Sequence, residues 1–190
     1  EISKTYETAI PENILCFAGA EEGIYVAMRV LLNHNDHAII VVPNYQSAET
    51  IPLDICEVSG VPLNPEENWS LDIDRIKNEI RPNTKLISIN FPNNPTGAIL
   101  AKERLDELIR ICRNRGLYLF SDEVYRLLER DTKLRLPQIA DIYERGISLN
   151  VMSKAYGLPG LRLGWIMCKD ETILQNMERY KHYLSICNSA

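Results

Sequence analysis

Leu105-Asp106-Glu107-Leu108-Ile109-Arg110-Ile111-Cys112-Arg113-Asn114-Arg115-Gly116-Leu117-Tyr118-Leu119-Phe120-Ser121-Asp122 holds in one stretch the pattern from which the fold is read. Leu105, Leu108, Ile109 and Cys112 recur at helical spacing, Gly116 is a stop signal just past the last arginine, and four apolar residues then run on without a polar alternate. A strand with no polar face is buried on both sides. The same alternation recurs along the chain. Apolar or β-branched runs at 14–17, 38–42, 86–91, 117–120, 147–152 and 163–168 alternate with helical sets: Ile24, Ala27, Met28 and Leu31; Ile73, Ile76 and Ile80; Ile173, Leu174, Met177 and Leu184. Ser70 reads as the start of the second set, and the last helix runs from about Asp170 to about Ser185. Segment 46–63, interrupted by Pro52 and Pro62, reads as a short helix and then a strand near 55–58. The expectation is an α/β fold in one continuous domain: a mostly parallel sheet with helices on both faces, whose ligands sit at the carboxyl ends of the strands.

Composition narrows the partners. The 190 residues carry 26 acidic and 21 basic side chains, a net charge of −5, which disfavours a nucleic-acid or anionic-membrane partner because both need a basic surface. An apolar share of 45% with 25% charged residues is that of an ordinary globular domain. No apolar run approaches the roughly 18 residues of a spanning helix, and residues 1–8 have no leader pattern. The five cysteines (Cys16, Cys56, Cys112, Cys168 and Cys187) are widely spaced with no C-x-x-C pair, which fits a reducing cytoplasm. No His/Asp/Glu spacing suggests a metal. His34 and His37, beside the turn at 33–36, read as solvated loop residues, His182 as part of the last helix, and Trp69 and Trp165 as packing residues. Arginines between 110 and 115 suit the end of a helix dipole.

The chemistry is expected just after the strands. Asp122 follows the run at 117–120; an acid there equally serves to accept a backbone N–H. Lys154 follows the run at 147–152 and precedes a glycine-rich turn, where an amine can lose hydration and become a nucleophile. Arg162 lies close behind, in a segment whose Gly157, Pro159 and Gly160 let it return towards Ser153 and meet one anion through paired donors. Asn93-Asn94-Pro95-Thr96-Gly97 is a turn by composition. Gly19-Ala20-Glu21-Glu22-Gly23, between strand and helix, could offer backbone N–H groups to a phosphate, but it is neither a dinucleotide fingerprint nor a Walker loop. Tyr45, after the run at 38–42, places an aromatic ring at the same rim.

Taken in order, Asn93–Gly97, Ser121-Asp122-Glu123-Val124-Tyr125 and Ser153-Lys154-Ala155-Tyr156-Gly157-Leu158-Pro159-Gly160-Leu161-Arg162-Leu163-Gly164 resemble the three best-defined motifs of the class I/II aminotransferases, fold-type I enzymes dependent on pyridoxal phosphate. The resemblance implies that Lys154 forms the Schiff base with the cofactor aldehyde and then shuttles the substrate Cα proton. It also implies that Asp122 faces the pyridine nitrogen, that Asn94 and Tyr125 hydrogen-bond the phenolic oxygen, and that Tyr45 stacks on the ring. It implies as well that Ser153, Arg162 and the backbone of Gly19, Ala20 and Glu21 hold the phosphate. Lys154, Asp122 and Tyr125 are thus the expected catalytic residues. One departure stands out: relatives often carry a small hydroxyl residue where this chain has Glu21 and Glu22. Carboxylates do not face a phosphate, so either both side chains point away or the contact lies elsewhere.

By the same resemblance, residues 1–190 correspond to the cofactor-binding large domain, without the family's N-terminal arm and C-terminal small domain, and are not expected to turn over alone. The intact protein is expected to be a homodimer that takes an amino acid and a 2-oxo acid. The cofactor motifs leave two alternatives open: a lyase or cyclase using the same cofactor, and a cofactor-sensing domain of a transcription regulator fused to a DNA-binding region.

Overall fold

Runs of apolar residues with no polar face become the central strands because a strand covered by helices on both sides leaves none of its side chains in water. The computed structural model describes residues 1–188. Its strands are β1 (Ile14–Phe17), β2 (His37–Val42), β3 (Glu57–Pro62), β4 (Thr84–Asn90), β5 (Tyr118–Asp122), β6 (Gly146–Val151) and β7 (Gly164–Cys168), in the spatial order β1-β7-β6-β5-β4-β2-β3. The five from β3 to β6 are parallel, while β7 runs antiparallel to β6 and β1 antiparallel to β7. All side chains of β5, β6 and β7 are buried.

Helices cover both faces. Phe17, Ile24, Met28, Leu149, Ile166 and Met177 fill the layer beneath α1 (Ala20–Leu31) and α6 (Glu171–Lys181). Ile39, Ile76, Ile87, Leu105 and Leu119 fill the opposite layer, beneath α3 (Ile73–Glu79) and α4 (Lys102–Arg115). Two further helices, α2 (Gln46–Leu53) and the one-turn α5 (Ile139–Ile142), complete the set among the described residues. Gly116 ends α4 in the left-handed conformation at φ +65°, as its position predicts.

Several local expectations are corrected. The strand expected near 55–58 lies at Glu57–Pro62, where His37 to Val42 of β2 pair in register with Glu57 to Pro62. Asp72 rather than Ser70 starts α3, its Oδ1 accepting the N–H groups of Asp74 at 2.9 Å and Arg75 at 3.3 Å. The last helix stops at Lys181, leaving Leu184 exposed. Trp69 is partly exposed in a turn, whereas Trp165 is buried and donates to the Tyr6 hydroxyl at 2.9 Å. His37 is no loop residue: it is fully buried in β2, its Nδ1 2.8 Å from Thr84 Oγ1 and its Nε2 3.0 Å from Ser59 Oγ. Ser59 donates to Glu79 at 2.6 Å, so the imidazole Nε2–H donates to Ser59 and the Thr84 hydroxyl donates to Nδ1.

Among the described residues no helix is long and apolar enough to cross a membrane, and no cluster of potential metal ligands occurs.

Gly164 shows how tightly the β7 edge meets the start of α1. A Cβ there would lie 2.6 Å from the carbonyl carbon of Gly19 and 2.7 Å from the Ala20 nitrogen, both main-chain atoms. No side-chain rotation relieves such an overlap. Gly164→Ala is therefore expected to destabilise the protein by about 1–3 kcal/mol, as overpacking does, and to lower the urea midpoint at unchanged slope.

Candidate active site

The carboxyl ends of β2, β4, β5 and β6 and the first turn of α1 surround a cavity of about 310 Å³, within the range of small-ligand sites. Ala20, Glu21, Tyr45, Asn94, Asp122, Tyr125, Ser153, Lys154 and Arg162 all line it. Gly19, the remaining predicted residue, lies directly behind Arg162: a Cβ on it would sit 2.6 Å from Arg162 Nη2. At φ +97° Gly19 takes a backbone conformation that other residues rarely adopt. The residues gathered from five separate stretches of sequence therefore meet at one crevice.

Asp122 is the last residue of β5 and is only 3% exposed. Its Oδ1 accepts the Val124 N–H at 3.1 Å. Burial pushes its carboxyl up to about 7; the Val124 N–H and the Lys154 charge pull the other way, and the Glu21 charge adds to the rise. A buried carboxyl with so little compensation suits a ligand that brings a cationic or N–H group. Asn90, the last residue of β4, fixes this geometry. Its Nδ2 donates to the Asp122 carbonyl at 3.0 Å and its Oδ1 accepts the Asn94 N–H at 2.7 Å. Asn93 ties the same loop to β2 by donating to the Pro43 carbonyl at 3.0 Å.

The Lys154 ammonium lies over the Tyr125 ring, 5.3 Å from its centroid. Lys154 and Arg162 are both exposed, so solvent and small molecules reach the cavity from their side. Arg162 holds a left-handed backbone conformation, φ +47°, and donates from Nη1 to the Pro159 carbonyl at 3.0 Å. Opposite it, Gly19 caps α1 without a side-chain acceptor, so N–H groups of the first turn stand without intrahelical partners beside the guanidinium. The helix N-terminus, Arg162 and Ser153 line the same cavity and are the kinds of donor from which an anion cup could be built.

The two glutamates of that turn divide. Glu22 points away from the cavity and accepts the Ala18 N–H at 2.6 Å. Glu21 does not: it lines the cavity, near enough for its charge to act on Asp122, and its Oε2 accepts the Ser47 hydroxyl at 3.0 Å. Only the backbone of Glu21 is therefore suited to an anion. Glu123, next to Asp122, points into the opposite layer, where its Oε1 accepts the Ile139 N–H and the Ser148 hydroxyl, each at 2.9 Å. Burial raises it to about 7 as well, against the pull of those donors.

The family described as aminotransferase class I and II matches residues 3–190. Among known proteins, an aspartate aminotransferase of Pyrococcus horikoshii is 35% identical over 163 residues, covering 85% of this chain and 42% of the relative. A probable aspartate aminotransferase of Methanocaldococcus jannaschii is 30% identical over 181 residues, 93% of this chain and 48% of the relative. A solved structure of a PLP-dependent aminotransferase from Streptococcus suis superposes with a TM-score of 0.92 at 36% identity, covering 98% of this chain and 49% of that one. The chain thus spans about half the length of these relatives.

A carboxyl raised on folding adds stability that is complete below its unfolded value and is lost as pH climbs through the folded one. For Asp122 that window runs from about pH 4 to about pH 7. A move from 3.8 to about 7 corresponds to about 4 kcal/mol. In ligand-free protein Asp122→Asn is therefore expected to raise stability at pH 8 by several kcal/mol and to change it little at pH 4. Urea unfolding at the two pH values measures the difference.

Proposed function

We propose that this chain, which belongs to the class I and II aminotransferase family, carries the cofactor-holding residues of an enzyme that uses pyridoxal phosphate to move an amino group from an amino acid to a 2-oxo acid. The observation that supports this best is the arrangement of Asp122, Lys154 and Arg162 around one cavity at the carboxyl edge of the sheet. The residues fit the cofactor at both ends. Asp122 presents a desolvated carboxyl, for which a protonated ring nitrogen supplies the missing positive charge and draws its pKa back down. Across the cavity, the cup formed by Gly19, Ala20 and Glu21 backbone, Ser153 and Arg162 matches a phosphate in charge and donor count.

When bound, pyridoxal phosphate supplies an electron sink for the pair left at the substrate Cα. Lys154 would hold the cofactor's aldehyde end, and its amine, when free, would carry the proton at the substrate Cα. Asp122 would keep the ring nitrogen protonated, its withdrawal from water strengthening that charge interaction. Asn94 and the Tyr125 hydroxyl, which line the same cavity, would orient the phenolic oxygen. Tyr45, which precedes α2 and lines the cavity, would lay its ring over one face of the cofactor. Glu21 disfavours a second anion beside the phosphate. The intact protein is a cytoplasmic homodimer in this reading, as the family resemblance implies.

The intact protein incubated with pyridoxal phosphate is expected to develop a visible absorption band. Borohydride reduction followed by peptide mapping then places the tag on Lys154; a tag on another lysine contradicts the assignment. Lys154→Ala is expected to lower turnover by at least about 1000-fold, because anchor and proton carrier go together. Assaying amino donors with and without a 2-oxo acid separates transfer, which consumes the 2-oxo acid, from elimination, which does not.

A further inference from the structure

Glu22 has no role in the chemistry above, yet its carboxylate is the centre of a cluster lying directly behind the anion cup. Its Oε2 accepts the Ala18 N–H at 2.6 Å and the Ser185 hydroxyl at 3.0 Å, and its Oε1 accepts the Ser185 N–H at 3.2 Å. Ser185 Oγ in turn accepts from Lys181 Nζ at 2.7 Å. Lys181 is 4% exposed and, among the described residues, has no carboxylate within ion-pair distance. Its buried charge is met by the Glu22 carboxylate through the Ser185 hydroxyl. Three residues further on, Asn188 Nδ2 donates to the Phe17 carbonyl at 2.6 Å and to the Arg162 carbonyl at 3.3 Å.

The turn at residues 17–19 is thus gripped from both sides. Glu22 holds the Ala18 N–H, Asn188 holds the Phe17 carbonyl, and the Gly19 N–H closes back onto the Phe17 carbonyl at 2.8 Å. Between them these bonds set the peptide that precedes the +97° φ of Gly19, and so the direction of the first N–H groups of α1. Asn188 also links that turn to the backbone of Arg162, the other wall of the cup. A buried charge pair of this kind is weak evidence for stability, since apolar residues of similar volume often serve a fold as well. Its contribution is geometric.

We infer that Glu22, Ser185 and Lys181 are positioning residues that hold the turn at 17–19 in the shape needed to receive the cofactor phosphate. The inference rests on the phosphate cup proposed above. It assigns to the segment following α6 a direct influence on cofactor affinity, exerted without any contact with the cofactor.

The test compares pyridoxal phosphate with pyridoxal, which has no phosphate, by spectroscopic titration of the intact protein. Glu22→Gln keeps the size of the side chain while removing its charge and one acceptor oxygen. It is expected to raise the Kd for pyridoxal phosphate about tenfold and to leave that for pyridoxal within about twofold. Ser185→Ala, which breaks the relay to Lys181 with a smaller change, is expected to give about a threefold rise with the same selectivity, and it carries the test if Glu22→Gln lowers the yield of folded protein. Equal weakening of both ligands, or no change in either, overturns the positioning role. A parent protein that binds the two ligands equally well overturns the phosphate cup itself, before any variant is compared.

Discussion

A carboxyl held out of water at the end of β5 governs the layout of this protein. Asp122 is 3% exposed and has one backbone donor, so its ionised form depends on whatever occupies the cavity in front of it. The fold places this group in three ways. Parallel neighbours on both sides, β4 and β6, fix the end of the strand. Asn90 of β4 binds the Asp122 carbonyl and the Asn94 N–H, so the acid and the loop beside it move as a unit. Finally, the segment after β6 brings Lys154 near enough for its charge to act on the carboxyl. Glu123 is raised as far by burial yet makes its bonds inside the opposite layer, so what distinguishes Asp122 is that it faces the cavity.

What could be read from the chain and what could not divide along a physical line. The central strands were legible because burial on both faces leaves an unbroken apolar run, as at 147–151, that needs no knowledge of partners. Asp122, Lys154 and Arg162 were legible because each carries a distinctive head group immediately after such a run. Residues whose roles come from distant partners were not. His37 sits beside a turn and reads as a loop residue; only Ser59 and Thr84, brought alongside by β3 and β4, make its burial tolerable. Asn90 reads only as a polar end to the apolar run at 86–91 until Asp122 lies next to it. The last helix keeps an apolar residue at Leu184, yet it stops at Lys181 because the following residues bend back to serve Glu22.

The first turn of α1 shows how two identical side chains in sequence acquire opposite duties. Glu21 stays at the cavity, restrained by Ser47, and contributes negative charge where an anion is also to be held. Glu22, one step of about 100° around the helix, faces the segment after α6 and stabilises the loop that feeds the helix. The departure from the usual small hydroxyl residue therefore leaves the backbone amides, Ser153 and Arg162 as the groups suited to an anion.

The reversal of direction at the β1–β7 edge sets an order on biogenesis. β1 finds its pairing partner only in β7, so Ile14 waits for Met167 to be made before its amides are paired. The loop between β1 and α1 is anchored on the same late-arriving strand and on the residues that follow α6. The loop from β1 to α1 therefore takes its final shape only after Met167 and Asn188 have been made. A small molecule that needs this cup cannot template the early steps of folding, and can only select and lock the finished form.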